Sequence, residues 1–138
     1  MLKLDKVNSF YGRSHALHDL SLSIPKGQIT AIVGRNGTGK TTLLKTIMGL
    51  TVKSTGAIDL DGTDLSAQPT FRRARAGIAY VPQGRQIIPD FTVRENILMG
   101  GFASSSGRKV PALVGELFPY LTENMDRPGG LLSGGQQQ

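Results

Sequence analysis

The stretch Gln28-Ile29-Thr30-Ala31-Ile32-Val33-Gly34-Arg35-Asn36-Gly37-Thr38-Gly39-Lys40-Thr41-Thr42-Leu43-Leu44 decides the fold. Residues 28–33 are a short apolar run rich in β-branched side chains, which predicts a strand buried on both faces of a parallel sheet. Residues 34–39 form a glycine-rich loop. From Lys40 to Met48, Leu43, Leu44, Ile47 and Met48 recur at helical spacing, and Gly49 is a natural stop. Gly34 to Thr41 fits G-x-x-x-x-G-K-[ST] between strand and helix, the pattern of a phosphate cradle. Small residues let backbone N–H groups converge on phosphate oxygens, and the helix N-terminus adds partial positive charge. Lys40 can reach the β- and γ-phosphates as a point charge. The Thr41 hydroxyl can ligate Mg²⁺, and Thr42 can support a phosphate. The plainer reading is a glycine turn with a solvated lysine. The flanking strand and helix argue against it.

Upstream, residues 2–8 alternate apolar and polar and predict a half-buried strand, broken at Tyr11-Gly12. Residues 17–24 predict a second strand, and Pro25-Lys26-Gly27 a turn. Downstream, residues 57–60 with Asp61-Gly62 predict a hairpin arm. Residues 70–76 are basic and predict a helical turn or two, with Arg72, Arg73 and Arg75 as a solvated face. Ile78 to Val81 predicts another compact strand, stopped by Pro82. Thr92 and Glu95 have capping-box spacing ahead of Ile97, Leu98 and Met99. Residues 103–109 read as a Ser/Gly-rich loop. Residues 111–121 predict a helix with Leu113, Leu117 and Leu121 on one face, its last turn strained by Pro119. Residues 128–135 are glycine-rich again. Strands alternating with helices favour an α/β fold.

Composition bounds the rest. The 138 residues suit one domain or part of one, and 18 glycines are nearly twice the usual share. With no cysteine there is no disulfide framework or thiolate metal site, and His15 and His18 cannot make a structural zinc site alone. No apolar run is long enough to span a bilayer as a helix, and the charged, alternating N-terminus is not a signal peptide. The net charge is +6, but the basic residues are scattered and aromatics are few, which argues against a nucleic-acid site.

Three more features narrow the nucleotide chemistry. Tyr11 sits at a strand end before the loop, where an aromatic can stack on a base or simply pack. Gln83, after Val81-Pro82, lies at a predicted strand's carboxyl end, where α/β folds bind ligands. Leu132-Ser133-Gly134-Gly135-Gln136 can offer N–H groups and a hydroxyl to a phosphate.

In this order along the whole chain, these motifs resemble the ATP-binding cassette family, the motor subunits of ABC transporters. The resemblance implies a P-loop nucleotide-hydrolase core of α/β class, with an N-terminal antiparallel β subdomain and a helical subdomain. It implies that Tyr11 stacks on adenine, that Ala16 lines the same pocket, and that Gly34, Arg35, Asn36, Gly37, Thr38, Gly39, Lys40, Thr41 and Thr42 hold ATP. Thr41 and Gln83 would serve Mg²⁺, and Gln83 would also sense the attacking water and couple it to the membrane partner. Leu132, Ser133, Gly134, Gly135 and Gln136, the family signature, would close over ATP held by a second subunit. Implied partners are that second ATP-binding subunit, integral membrane permeases and, indirectly, a periplasmic binding protein. The implied location is peripheral, on the cytoplasmic face of the inner membrane.

Phe10 to Leu17, Tyr80 to Arg85 and Phe91 to Asn96 resemble importers of branched-chain amino acids and urea. Arg35-Asn36-Gly37, Glu116-Leu117-Phe118-Pro119 and Gly134 to Gln138 are most similar to urea-transporter ATPases. Uptake of urea is therefore the leading expectation, with branched-chain amino acids as the alternative. A nucleotide-binding module without turnover and a soluble ABC protein acting on ribosomes or nucleic acid are two further alternatives. No acidic residue follows a run of four apolar residues, so the family's Walker B Asp-Glu pair and its switch histidine have no counterpart in residues 1–138. The expectation is that the sequence stops inside the signature helix, that the C-terminal part of the domain lies beyond it, and that residues 1–138 alone do not turn ATP over.

Overall fold

The computed structural model describes residues 1–102 and 109–137, so most of the expected 103–109 loop lies outside the described residues. The chain divides into two units, Met1–Tyr80 and Val81–Gln138.

In the first unit the N-terminal alternation becomes a four-stranded antiparallel sheet. Its strands are β1 (Leu2–Tyr11), β2 (Ser14–Ile24), β3 (Lys53–Leu60) and β4 (Thr63–Asp64), in the order β2-β1-β3-β4. β1 and β2 run longer than residues 2–8 and 17–24, because pairing extends through the Gly12 turn as far as Tyr11 opposite Ser14. The Asp61-Gly62 turn joins β3 to β4 as the hairpin pattern predicts. Leu4, Val7, Leu17 and Ile58 bury one sheet face together with Leu43 and Ile47 of helix α1 (Lys40–Ile47). A polar contact pins the helix there: buried Thr46 Oγ1 lies 3.0 Å from buried Ser9 Oγ and 2.7 Å from the Thr42 carbonyl.

The sheet is bulged in two strands. Lys6 (φ 45°) bulges β1, and Asp19 (φ 41°) bulges β2. Gly56 of β3, at φ +90°, faces the β1 bulge; a Cβ there would stand 2.3 Å from the Lys6 carbonyl oxygen. The Asn8 side chain spans the bulges, donating to the Lys6 carbonyl (3.0 Å) and to Asp19 Oδ1 (2.8 Å) and accepting from the Asp19 N–H (3.1 Å).

Two expected strands are not strands. Residues 28–33 and 78–81 carry no sheet pairing, and Ile29, Val33 and Val81 are exposed. A strand buried in a parallel sheet needs neighbours that bond both edges of its backbone. Among the described residues no strand supplies them.

Helix α2 (Thr70–Arg75) corrects another expectation. Arg72 and Arg75 are exposed, but Arg73 is buried at 2% exposure. Its guanidinium donates to the carbonyls of Gln68 (2.7 Å), Thr46 (2.9 Å), Ile47 (2.9 Å) and Ser66 (3.0 Å). It therefore satisfies the Ile47 carbonyl at the end of α1 and shares that of Thr46 with the Gly49 N–H. Burial draws its pKa down, and the Asp64 carboxylate partly opposes that. Gly49, at φ +70°, leaves room for it: a Cβ there would stand 2.9 Å from Arg73 Nε.

The second unit holds α3 (Val93–Gly100), α4 (Ala112–Leu117), α5 (Pro119–Glu123) and a 3₁₀ turn at Gly129–Leu131. Thr92 and Glu95 form the expected capping box. The Thr92 N–H, with its hydroxyl second, holds the Glu95 carboxyl below its ordinary pKa. The single helix expected over 111–121 is two helices, with Leu113 and Leu117 exposed. Proline lacks the N–H needed to continue a helix and disfavours helical geometry in the residue before it; Phe118 duly takes φ −133°, ψ 68°.

Candidate functional site

The glycine loop is tightly folded between residue 34 and helix α1. Gly37 (φ +84°) and Gly39 (φ +90°) both take the left-handed conformation. A Cβ on Gly34 would stand 2.9 Å from Thr38 Oγ1, and one on Gly39 would stand 3.0 Å from Leu17 Cδ2 and 3.5 Å from the Ala16 carbonyl oxygen. Ala16 of β2 therefore stands beside the loop. Thr38 Oγ1 donates to the Arg35 carbonyl at 2.9 Å and folds the loop on itself. Lys40 Nζ curls back over it, 2.7 Å from the Gly34 carbonyl and 2.6 Å from that of Arg35.

α1 starts directly at the loop. Its first backbone bond runs from the Leu43 N–H to the Gly39 carbonyl at 2.8 Å, so the N–H groups of Lys40, Thr41 and Thr42 have no partner within the helix. No acidic residue occupies the first turn. Three open amides and one ammonium thus belong to the same loop and helix start, a combination suited to an anion. Thr41 is exposed and Thr42 half-buried; Arg35 and Asn36 are exposed at the loop's rim. A cavity of about 320 Å³ borders the loop, lined by Leu17, Leu20, Ile32, Val33 and Leu43 as well as loop residues. Tyr11 is 41% exposed at the end of β1. His15 and His18 lie exposed on β2, with His15 stacked on Phe10 at 4.3 Å and 2.8 Å from Asn8 Oδ1.

In the second unit, Gln83 is exposed on an irregular segment. The chain that follows it is bonded to the approach to residues 132–136. The Gly129 N–H donates to the Phe91 carbonyl (2.7 Å), Gly130 N–H to Pro89 (2.9 Å) and Val93 N–H to Arg127 (2.9 Å). Asn96 locks the turn between them: its amide donates to the carbonyls of Ile88, Phe91 and Thr92 and accepts from the Ile88 N–H. Leu132 is half-buried, while Ser133, Gly134, Gly135 and Gln136 are exposed. The Ser133 N–H donates to the Gln136 side chain at 3.0 Å. Residues 134–137 form a turn where a helix-compatible run was expected.

Sequence reading assigned no role to Asn96 or Gln137. A single polar residue in a mixed segment gives no period or spacing by which to find such a brace.

The family model for ABC transporters matches residues 17–138. The chain belongs to the ABC transporter family. It is 41% identical to the high-affinity branched-chain amino acid transport ATP-binding protein of Pseudomonas aeruginosa, over all of this chain and 60% of that protein. It is 38% identical to the "Probable branched-chain amino acid transport ATP-binding protein LivF" of Archaeoglobus fulgidus, over all of this chain and 59% of that protein. Among solved structures, it resembles a dimeric ATP-binding cassette in a post-hydrolysis state bound to ADP and Pi, with a TM-score of 0.77, 25% identity, and coverage of 99% of this chain and 65% of that one. This ABC family chain thus spans about three fifths of the length of these relatives. Among the described residues no helix is long and apolar enough to cross a membrane.

Proposed function

We propose that this chain carries the ATP-binding part of the ATPase subunit of an ABC importer. The observation that carries the reading is the Lys40 ammonium held over the Gly34 and Arg35 carbonyls at the open N-terminus of α1. In this reading Gly34–Thr42 cradles the triphosphate, Lys40 moves from those carbonyls onto phosphate oxygens, and Tyr11 and Ala16 receive the adenine. Mg²⁺ fits the donors present, because it keeps most of its shell as water and phosphate oxygen and asks the protein for few ligands. The exposed Thr41 hydroxyl would be the protein ligand on the loop. When bound, Mg²⁺ neutralises phosphate charge. Ser133 to Gln136 offers its backbone and hydroxyl to ATP on a second subunit, and permeases hold the pair at the cytoplasmic face of a membrane. The closing and reopening of that pair would drive uptake.

The 41% identical relative supports branched-chain amino acids as the solute. The motifs Arg35-Asn36-Gly37 and Glu116-Leu117-Phe118-Pro119 support urea as a second reading. Radiolabelled leucine and urea uptake by cells lacking and regaining the gene separates them: the solute whose uptake is lost and restored is the one carried. Uptake of neither being affected refutes both. For the nucleotide site, Lys40→Ala in the protein at the full length of its reading frame is expected to lose Mg-ATP binding. Unchanged binding refutes the assignment.

A further inference from the structure

Arg85 stands two residues after Gln83, and no carboxylate pairs with it among the described residues. Its Nη1 instead donates to the side-chain carbonyl of Gln137 at 3.3 Å. The same Nη1 lies 2.9 Å from the point that a Cβ on Gly134 would occupy, and Cζ lies 3.5 Å from it. The guanidinium therefore rests against bare backbone in the middle of the signature turn. The absence of a side chain at Gly134 is what admits it.

Gln137 is oriented from its other end. Its Nε2 donates to the carbonyls of Leu132 (2.9 Å), Gly129 (3.2 Å) and Gly130 (3.4 Å). Turned over, the amide would set its oxygen against three carbonyl oxygens, so Oε1 is committed to Arg85. The turn is closed by the Gln137 N–H donating to the Ser133 carbonyl (3.0 Å), and the Tyr120 hydroxyl donates to the Gln136 carbonyl (3.1 Å).

We propose that Arg85 is a positioning residue that braces the signature turn through Gln137 Oε1 and the face of Gly134, setting the pose in which Ser133–Gln136 meets a second subunit's nucleotide. This rests on the function proposed above. Arginine suits the task because its flat, weakly hydrated fork can hydrogen-bond at its edge while lying against backbone; a lysine ammonium is a compact, strongly hydrated point charge. Arg85 is exposed, so its loss acts on the pose of the turn more than on folding.

The test uses Arg85→Ala, Arg85→Lys, Arg85→Met, Gln137→Ala and the Arg85→Ala/Gln137→Ala pair in the protein at the full length of its reading frame. Titration with a fluorescent ATP analogue reads nucleotide affinity. Light scattering reads ATP-dependent pairing of subunits, and phosphate release reads turnover. Arg85→Ala is expected to keep its nucleotide affinity and melting temperature while pairing and turnover fall three- to tenfold, about the worth of one charge-assisted contact. Arg85→Lys does not restore them, and the double variant falls no lower than Gln137→Ala alone. Pairing and turnover within twofold of the parent in Arg85→Ala, or independent multiplication of the two losses, overturns the inference. So does a lowered melting temperature in both Arg85→Ala and Arg85→Met, which would make the residue merely structural. Lys40→Ala keeps the two claims apart. If it binds ATP normally, the nucleotide reading fails; if it loses ATP while the Arg85 variants pair and turn over normally, only the brace fails.

Discussion

Replacing Arg73 by alanine would unpick the end of the helix that begins at the glycine loop. The buried guanidinium makes four hydrogen bonds, two of them to the Thr46 and Ile47 carbonyls at the C-terminus of α1 and two to Ser66 and Gln68. Hydrogen bonds to a charged group are each worth about 1.5–3 kcal/mol net; the Thr46 carbonyl would keep the Gly49 N–H, but that of Ile47 would be left without a donor. Against that stands the desolvation that already lowers the Arg73 pKa. The balance for removing one side of a buried, charged network is about 3–5 kcal/mol. Arg73→Lys keeps the charge but offers three donors from one point to four dispersed carbonyls, at a cost of about 2 kcal/mol. Urea unfolding followed by circular dichroism measures both, and amide exchange locates the effect in the last turn of α1. A loss below about 1 kcal/mol in Arg73→Ala, or a lysine variant as stable as the parent, would refute the reasoning.

Two further predictions concern stability. Gly56→Ala should cost at least about 3 kcal/mol, because its Cβ would meet the Lys6 carbonyl at 2.3 Å in a left-handed backbone that alanine resists; urea unfolding checks this. Thr92→Ala should cost about 1 kcal/mol through loss of the α3 cap, read in the same assay. The capping box also sets a pH dependence. The Glu95 pKa is lower folded than unfolded, so its contribution is full above the ordinary carboxylate pKa and disappears as pH falls through the folded value. The stability difference between the parent and Glu95→Gln should therefore hold steady near neutral pH and vanish in acid.

The local chemistry was largely legible in sequence. The glycine loop, the Thr92–Glu95 cap, the Asp61-Gly62 hairpin and the stop at Gly49 each follow from residue types whose conformational preference is intrinsic. What depended on distant partners was not. Residues 28–33 have the composition of a buried strand, but a strand exists only by pairing, and composition says nothing of whether a neighbour is there. Arg73 sits among exposed arginines in a basic run, and nothing local distinguishes the one that turns inward to cap α1. The same holds at the candidate site: Lys40 and Ser133–Gln136 lie in motifs, whereas Asn96, Gln137 and Arg85 act through contacts that chain order conceals. Pro119 was a partial case, since its break in the helix was foreseeable but the resulting exposure of Leu113 and Leu117 was not.

The central claim is that Lys40 and the open amides of α1 form a triphosphate site. Titration of the protein, at the full length of its reading frame, with a fluorescent ATP analogue in Mg²⁺ tests it most directly. The account predicts saturable binding, competed by ATP and by inorganic triphosphate, and weakened at least tenfold by Lys40→Ala with the fold intact. Equal affinity in parent and Lys40→Ala, or binding that triphosphate does not displace, would contradict it.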